Sequence, residues 1–399
     1  MASEPGLGRE ELDRLVANFD HHTVAYRDHS VEILRHMQQT CPFAHSPSYG
    51  GFWIATKAET VLEIAKQADL FSSSPSDVIP AQEPIPMIPL NSDPPELYDY
   101  RAILNPLFAP KRMEAEAAEI RATAERLMDA IVANGGGDVV MDLAQPLTGI
   151  TTLRLLGIDT ADWPDYVHPL HDLVYSGRPL EERMATMAVM VEQMRGEIRR
   201  QKADPMQGGI IDYLHNVDMA GRKLTLDEID SIVLIMLGGG LDTAQALVGM
   251  VAVYLGRNPD RRQELIDEPE LMESAVEEFL RVFPPTQGNG RRAVRDATIA
   301  GQPIKAEELI FMSYAAANRD PEEFPDPDRV DFRRANNRHF SFGVGPHRCL
   351  GSHLARQEVI ACLETLLSRA PNYRLVPGGV VKSTDIGTIS GFDKVEIAL

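Results

Sequence analysis

The longest apolar stretch of the chain is SIVLIMLGGGLDTAQALVGMVAVYLG, residues 231–256. It is long enough to cross a bilayer. Asp242 sits near its middle, and a carboxylate at the centre of a membrane costs about 2.5–3.5 kcal/mol. Just upstream, Thr225-Leu226-Asp227-Glu228 has the form of a capping box, a helix start typical of water-soluble proteins. The pattern predicts a buried central helix over 226–257. From Glu96 to Arg281 the apolar spacing is helical almost throughout. Breaks fall at Gly135-Gly136-Gly137, Gly177-Arg178-Pro179, Gly208-Gly209 and Asn258-Pro259.

The texture differs on either side. Tyr49 to Thr56 reads as a short strand, followed by a helix near Glu59 to Gln67. Ala293 to Met312 alternates like strands, and Asn318 to Phe332 is a turn-rich meander. Gly351 to Arg369 is helical, and Tyr373 to Leu399 reads as short strands. The first ~20 residues are a candidate for disorder. Residues 72–95 are rich in proline, but Ile79, Ile85, Met87, Ile88 and Leu90 are too apolar for a solvated tether. They predict an ordered loop lining an apolar pocket. No stretch reads as a flexible linker, so residues 1–399 are expected to form one mainly α unit with small β-sheet lobes.

Composition narrows the function. The chain has 399 residues, 44% of them hydrophobic, which leaves material for a large core. A formal net charge of −20 argues against nucleic acid or an anionic membrane as partner, since phosphate binding needs a basic surface. Cys41, Cys349 and Cys362 give no disulfide framework, which fits a reducing cytoplasm. The N-terminus lacks the basic start and apolar run of a signal peptide.

The candidate chemistry concentrates in FSFGVGPHRCLGSHLAR, residues 340–356. Most lone cysteines are buried structural thiols, and Cys362 fits that role on an apolar stripe with Ala355, Val359 and Leu366. Cys349 does not. Gly343, Gly345 and Gly351 flank it and permit close approach of another body. A helix start, Arg348 and His347 favour a thiolate there. From Arg333 to Gln357 there is no acid, while Arg333, Arg334, Arg338, Arg348 and Arg356 are present. Zinc on His347, Cys349 and His353 is a competing reading, but no second Cys/His pair has zinc-module spacing.

Three further features stand out. Gly238-Gly239-Gly240 lies inside the central helix, where each glycine costs about 1 kcal/mol against alanine. Ile235, Gly239 and Thr243 share a face, with Gly238 and Asp242 beside them. That face is either a groove or a tight helix crossing. Glu278 and Arg281 sit one turn apart in a helix expected over Leu271 to Phe283, by themselves an ordinary surface pair. Phe324-Pro325-Asp326-Pro327-Asp328-Arg329 is a stiff turn.

In this order, the four features resemble the cytochrome P450 superfamily of soluble bacterial type. Phe342-Gly343-x-Gly345-x-His347-x-Cys349-x-Gly351 is similar to its haem-binding loop, and Gly239-Gly240-x-Asp242-Thr243 to its oxygen-activating helix motif. Glu278, Arg281 and Arg329 resemble its structural triad. GGLDT, RQELI (residues 262–266) and Ser390-Gly391 resemble the camphor-hydroxylating branch. The resemblance implies the P450 fold, haem b with Cys349 as axial iron ligand, and Arg101, Arg291 and His347 at the propionates. Many relatives carry histidine where this chain has Leu97, so one propionate partner is expected to be missing. Asp242 and Thr243 would handle protons at the oxygen site. The implied activity is hydroxylation or O-dealkylation of a small hydrophobic molecule, a terpenoid or similar. Its pocket would include Ile85, Met87, Ile88, Ile235, Gly238 and Gly239. Electrons would come from ferredoxin and its reductase through the acid-free arginine run, and the protein is expected to be a cytoplasmic monomer. The rival readings are a haem sensor without turnover and a peroxide-driven relative.

Overall fold

The computed structural model describes residues 6–81, 86–175, 178–204 and 208–399. The N-terminal part is helical: α1 spans Arg9–Ala17 and α2 Val24–Thr40. The expectation of disorder through the first ~20 residues is therefore corrected for α1. Val16, Phe19 and Tyr26 are buried against Phe52 and Phe311, and this apolar contact orders the segment. The predicted strand and helix near residues 49–67 appear as β2 (Phe52–Ala55), paired with β1 (Phe43–Ser46), and α3 (Ala58–Lys66), before the short β3 (Phe71–Ser72).

The helical middle contains α4 (Glu96–Leu104), α5 (Pro110–Ala133), α6 (Gln145–Leu156), α7 (Trp163–Tyr175), α8 (Leu180–Ala203) and α9 (Ile210–Asn216). A short strand β4 (Gly136–Asp138) follows α5. Then comes α10 (Leu226–Arg257), opened by the predicted capping box: Thr225 accepts from the Glu228 N–H and Glu228 reaches back to Thr225. This long apolar helix is wrapped by α6, α7, α8 and α14 (Ser352–Arg369). Its hydrophobic faces thus meet protein side chains, and its one mid-helix acid, Asp242, is buried. The helices α11 (Pro259–Asp267) and α12 (Met272–Val282) follow it.

The β lobes come from β5 (Gly288–Ala293), β6 (Ala297–Ile299), β7 (Gln302–Ile304), β8 (Leu309–Ser313), β9 (Arg374–Lys382) and β10 (Phe392–Ala398), with the short α13 (Tyr314–Ala317) after β8. The largest sheet has the order β1-β2-β8-β5-β3, with β2 and β8 parallel and the other pairs antiparallel. The tail strands β9 and β10 join β4, so the C-terminus closes on the helical middle.

The meander is held by a buried ionic hub. Glu278 and Arg281, both 0% exposed, form a two-point pair at 2.7 and 2.8 Å. Arg281 also donates to the carbonyls of Asn318, Pro327 and Arg329. Glu278 accepts from the Asp331 N–H, the Asn337 amide and the Arg334 guanidinium. The third cation is therefore Arg334, not Arg329: the Arg329 side chain is exposed and only its backbone oxygen takes part. Proline and Asp326 turn the chain so that Arg329 faces solvent, while Arg334, 10% exposed, folds back onto Glu278.

Glu278→Ala strands two buried cations and is expected to cost roughly 3–5 kcal/mol. Arg334→Ala should fall in the same class, whereas Arg329→Ala should change stability by less than about 0.5 kcal/mol. Denaturant midpoints of the three variants check the assignment; a severe loss for Arg329→Ala with a mild one for Arg334→Ala would reverse it.

Candidate functional site

The loop before α14 turns as its glycines require. Gly343 and Gly345 have φ of +61° and +76°, a region that side chains rarely enter. At Gly345 a Cβ would also lie 2.4 Å from the Ala65 carbonyl oxygen. The fold of the loop is pinned by the Cys349 N–H donating to the Phe342 carbonyl at 2.8 Å. It is tied to the ionic hub as well. Asn318 accepts from the Phe340 N–H at 2.6 Å and donates to Ser341, which donates on to the Leu280 carbonyl of α12. Arg356 pairs with Glu277 of α12 and lies 4.5 Å over the Phe342 ring. Burial alone would raise the Glu277 carboxyl, but Arg356 and His339 hold it down to about 2.

Cys349 presents exposed surface, while Cys362 is buried. Enclosure by protein raises the Cys349 thiol, and this outweighs the Gly351 N–H and the charges of Arg101, Arg348 and Arg356, which lower it. The helix start and basic neighbours therefore do not ionise the sulfur by themselves, contrary to the expectation from the sequence. A bound metal would, because a coordinating thiol is deprotonated outright. A Cβ at Gly351 would meet nothing within 4 Å, so open space lies beside this glycine.

The three glycines of α10 divide. A Cβ at Gly240 would lie 3.1 Å from the Thr152 hydroxyl, so this glycine serves a helix crossing with α6. At Gly238 and Gly239 it would meet nothing within 4 Å. Gly239 is exposed in the middle of an otherwise buried helix, and Ile235 and Thr243 on the same face are half-buried. These residues border a space. The Thr243 hydroxyl donates to the Gly239 carbonyl at 3.0 Å, which leaves its lone pairs to accept. Asp242 points the other way, is 1% exposed, and accepts from the Gln245 amide at 2.6 Å. Burial raises its carboxyl, and His171 of α7 lowers it.

The proline-rich loop joins these two regions. Ser231 of α10 accepts from the Ile88 N–H and donates to the Pro86 carbonyl, fixing the loop on the helix. At its other end, Ser73 and the Ser92 carbonyl both contact His347 Nε2, at 3.2 and 2.9 Å. Met87 and Ile88 are half-buried, and Ile88 packs on the main core. Ile85 lies outside the described residues.

Three cationic or polar groups converge at this end. The buried Arg291 donates to the Gly290 carbonyl, and Arg101 of α4 donates to the Arg348 carbonyl at 2.6 Å. Neither has a carboxylate within ion-pairing distance among the described residues. His347 Nδ1 is buried without a hydrogen-bond partner. Burial, together with the charge of Arg291, pushes the His347 imidazole down to about 4. Leu97 is fully buried. Among the described residues no cluster of His, Cys, Asp or Glu has the makings of a metal site, so the zinc reading fails.

Several contributors escaped the sequence reading. Arg334, Ser73, Ser92, Ser231, Asp77 and His171 are single polar residues whose roles depend on distant partners. Asp77 is buried and accepts from the Asn289 amide at 2.6 Å; burial raises its carboxyl and nearby Arg291 lowers it. Only Ser231 carried a signal, as a hydroxyl opening an apolar run.

Comparison with known proteins agrees with this arrangement. The family profile "Cytochrome P450" matches residues 162–387. "Probable cytochrome P450 127A1" of Sinorhizobium fredii is 35% identical over 348 residues, covering 84% of this chain and 82% of that protein. Mycinamicin IV hydroxylase/epoxidase of Micromonospora griseorubida is 31% identical, covering 85% and 87% of the two chains. Among solved structures, a mutant of P450 EryK in complex with erythromycin B has a TM-score of 0.85 at 25% identity, covering 92% of this chain and 95% of that one. P450BioI in complex with a hexadec-9Z-enoic acid ligated acyl carrier protein has the same TM-score and identity, covering 94% and 100%. The chain thus belongs to the cytochrome P450 family, the haem b monooxygenases, and is of the soluble bacterial type.

Proposed function

We propose that Cys349 is the axial sulfur ligand of haem b in this chain, with Arg101, Arg291 and His347 holding the propionates. The observation that carries this reading is a set of uncompensated groups close enough to feel one another's charge: Arg101 and Arg291, without carboxylate partners among the described residues, His347 with a buried, unpartnered Nδ1, and the exposed Cys349. A dianionic, flat group would satisfy all of them. Phe342, Gly343 and Gly351 would form the cradle on the cysteine side. Bound there, haem would supply O2 reduction with two electrons and two protons, one oxygen atom entering a C–H bond and the other leaving as water.

The chain's own residues handle substrate and protons. Met87, Ile88 and Ile235, with the bare backbone of Gly238 and Gly239, would line an apolar pocket suited to a terpenoid or similar hydrophobic molecule. The open space over both glycines favours a roomy pocket. The Thr243 hydroxyl, which donates to the Gly239 carbonyl, would accept from a water and hold it at the oxygen site. Asp242, protonated more readily than an ordinary aspartate, would resupply that site with protons. This acid–alcohol pair favours O2-dependent turnover over a sensor or a peroxide-driven enzyme.

Electrons would enter from a ferredoxin and its reductase on the cysteine side, in the cytoplasm. That face is less basic than the bare sequence implies. Arg333 pairs with Glu264 and Glu268, Arg334 with Glu278 and Arg356 with Glu277. Arg338 and Arg348 remain without a carboxylate partner among the described residues. Both border a depression of about 240 Å³ beside Phe342 and His339.

The reduced, carbon-monoxide-bound protein should show the red-shifted Soret band of thiolate-ligated haem. Cys349→His should abolish it, and Cys362→Ala should not; the opposite pattern would refute the assignment. Thr243→Ala should keep haem and substrate binding yet divert NADH consumption from product to hydrogen peroxide. Asp242→Asn should slow turnover by ~100-fold. The ratio of product to NADH, with peroxide titrated in parallel, decides; full coupling in Thr243→Ala would leave that face a wall only. Charge reversal at Arg338 or Arg348 should slow reduction by ferredoxin, as should added salt. Rates insensitive to both would exclude docking there.

A further inference from the structure

His22, just ahead of α2, ties together segments that are far apart in the chain. Its Nδ1 lies 2.7 Å from Asp385 Oδ2, in the turn between β9 and β10. Its Nε2 lies 2.9 Å from the Ile79 carbonyl of the proline-rich loop. A carboxylate and a carbonyl only accept, so both ring nitrogens must donate, and only the imidazolium has two N–H groups. Burial would raise the Asp385 carboxyl, but His22 and the Gly387 N–H hold it below the usual carboxylate range. Burial likewise disfavours the His22 cation, yet Asp385, the Ile79 carbonyl and Asp20 outweigh it and keep the imidazole above its ordinary value. The other titratable groups facing this ring are His21 and Tyr49. Burial and the charge of His22 push His21 down to about 4, so it stacks on Phe311 as a neutral ring, with centroids 4.5 Å apart. Tyr49 meets the His22 ring edge-on and donates its hydroxyl to Asp20 at 2.8 Å.

The Ile79 carbonyl leads directly to the candidate haem site. Two residues earlier, the Asp77 carbonyl accepts from the Gly290 N–H of β5, and the Asp77 carboxyl accepts from the Asn289 amide. Gly290 permits this approach, since a Cβ there would lie 3.1 Å from Ile79 Cγ1 and 3.2 Å from the Asp77 carbonyl oxygen. The next residue on the strand is Arg291. The turn that carries Asp385 grips the start of the same strand: Gln287 N–H donates to the Thr388 carbonyl, and Ser390 N–H donates to the Pro285 carbonyl. We propose that the His22 imidazolium is a positioning residue for Arg291. It clamps residues 77–79 and the Asp385 turn onto β5, and so fixes the strand from which Arg291 reaches its anionic partner. The proposal rests on the haem reading above for the identity of that partner, a propionate. Loss of one proton leaves a single N–H, so the neutral ring can donate to Asp385 or to Ile79 but not to both. The side chain is 22% exposed, so water can take that proton. The clamp is therefore complete below histidine's ordinary value of ~6.5 and is lost as pH rises through the raised value in the folded protein.

The test uses the haem-loaded protein in its reduced, carbon-monoxide-bound form, which is diamagnetic. The ¹⁵N signals of the His22 ring, assigned by their loss in His22→Gln, should show both nitrogens protonated below a midpoint that lies above ~6.5. Asp385→Asn should lower that midpoint, because it removes the anion that favours imidazolium. Amide hydrogen exchange at Gly290, corrected for the base dependence of exchange itself, should quicken by ~10-fold as pH rises through the midpoint. His22→Gln carries no titratable proton and should show no step, exchanging fast throughout. In Asp385→Asn the step should move to lower pH together with the ring titration, which a merely structural contact would not do. The propionate bending band of the resonance Raman spectrum reports hydrogen bonding at the propionates and should change over the same step. A His22 ring that titrates below its ordinary value, Gly290 exchange without a step in the unmutated protein, or a propionate band unmoved through that step overturns the proposal. Should His22→Gln fail to fold, Asp385→Asn decides, since it leaves the histidine in place. A carbon-monoxide-bound form without the thiolate Soret band would count against the haem reading, while the ring titration and Gly290 exchange of the same protein would still decide the clamp.

Discussion

The position of the cysteine depends on a charge that has nowhere else to go. Glu278 and Arg281 are both fully buried, and a buried ion is tolerated only when every lone pair and proton finds a partner. Here those partners are backbone carbonyls and polar groups of the meander: Asn318, Pro327, Arg329, Asp331, Arg334 and Asn337. The pair thereby dictates the path of a segment with little regular structure. Asn318 carries the constraint on to Phe340 and Ser341, and these start the loop that ends at Cys349. Hydrogen bonds thus tie α12 to the start of the loop that carries Cys349. The hub's value lies less in net stability than in allowing one conformation of that loop.

A second constraint shapes the opposite wall. A helix as apolar as α10 would normally close on its neighbours throughout. Gly238 and Gly239 prevent that by leaving a strip of backbone with no side chain over it, while Gly240 does the reverse and lets α6 approach. The same helix turn thus has a packed side and an open side. Asp242 and Thr243, adjacent in sequence, fall on different sides of it. The alcohol borders the open space and the acid sits among Gln245, His171 and the core. The split leaves the hydroxyl open to whatever fills that space and the acid shielded from bulk water.

Much of this was legible in the sequence because it depends on local spacing. The capping box at Thr225, the loop glycines around Cys349 and the Glu278–Arg281 interval are short-range patterns, and each appears where expected. What failed was anything settled by how distant segments meet. Arg329 and Arg334 are indistinguishable by type, and only the turn at Asp326 and the position of Glu278 decide which one folds inward. The arginine run looked uniformly basic because the acids that neutralise it, Glu264, Glu268, Glu277 and Glu278, lie far upstream. Helix α1 was missed because its charged sequence hides the few apolar residues, Val16 among them, that dock on the first sheet. His171, Ser73 and Ser92 carry no sequence signal at all, and Ser231 shows only as a hydroxyl opening an apolar run.

The central claim is that this chain holds iron by one sulfur, and that the sulfur is Cys349. X-ray absorption at the iron edge of the haem-loaded protein tests it most directly. A single sulfur scatterer in the first shell is expected beside the porphyrin nitrogens, unchanged in a protein carrying both Cys41→Ala and Cys362→Ala. A first shell of nitrogen and oxygen alone, or a sulfur lost with either of those substitutions, would contradict the account.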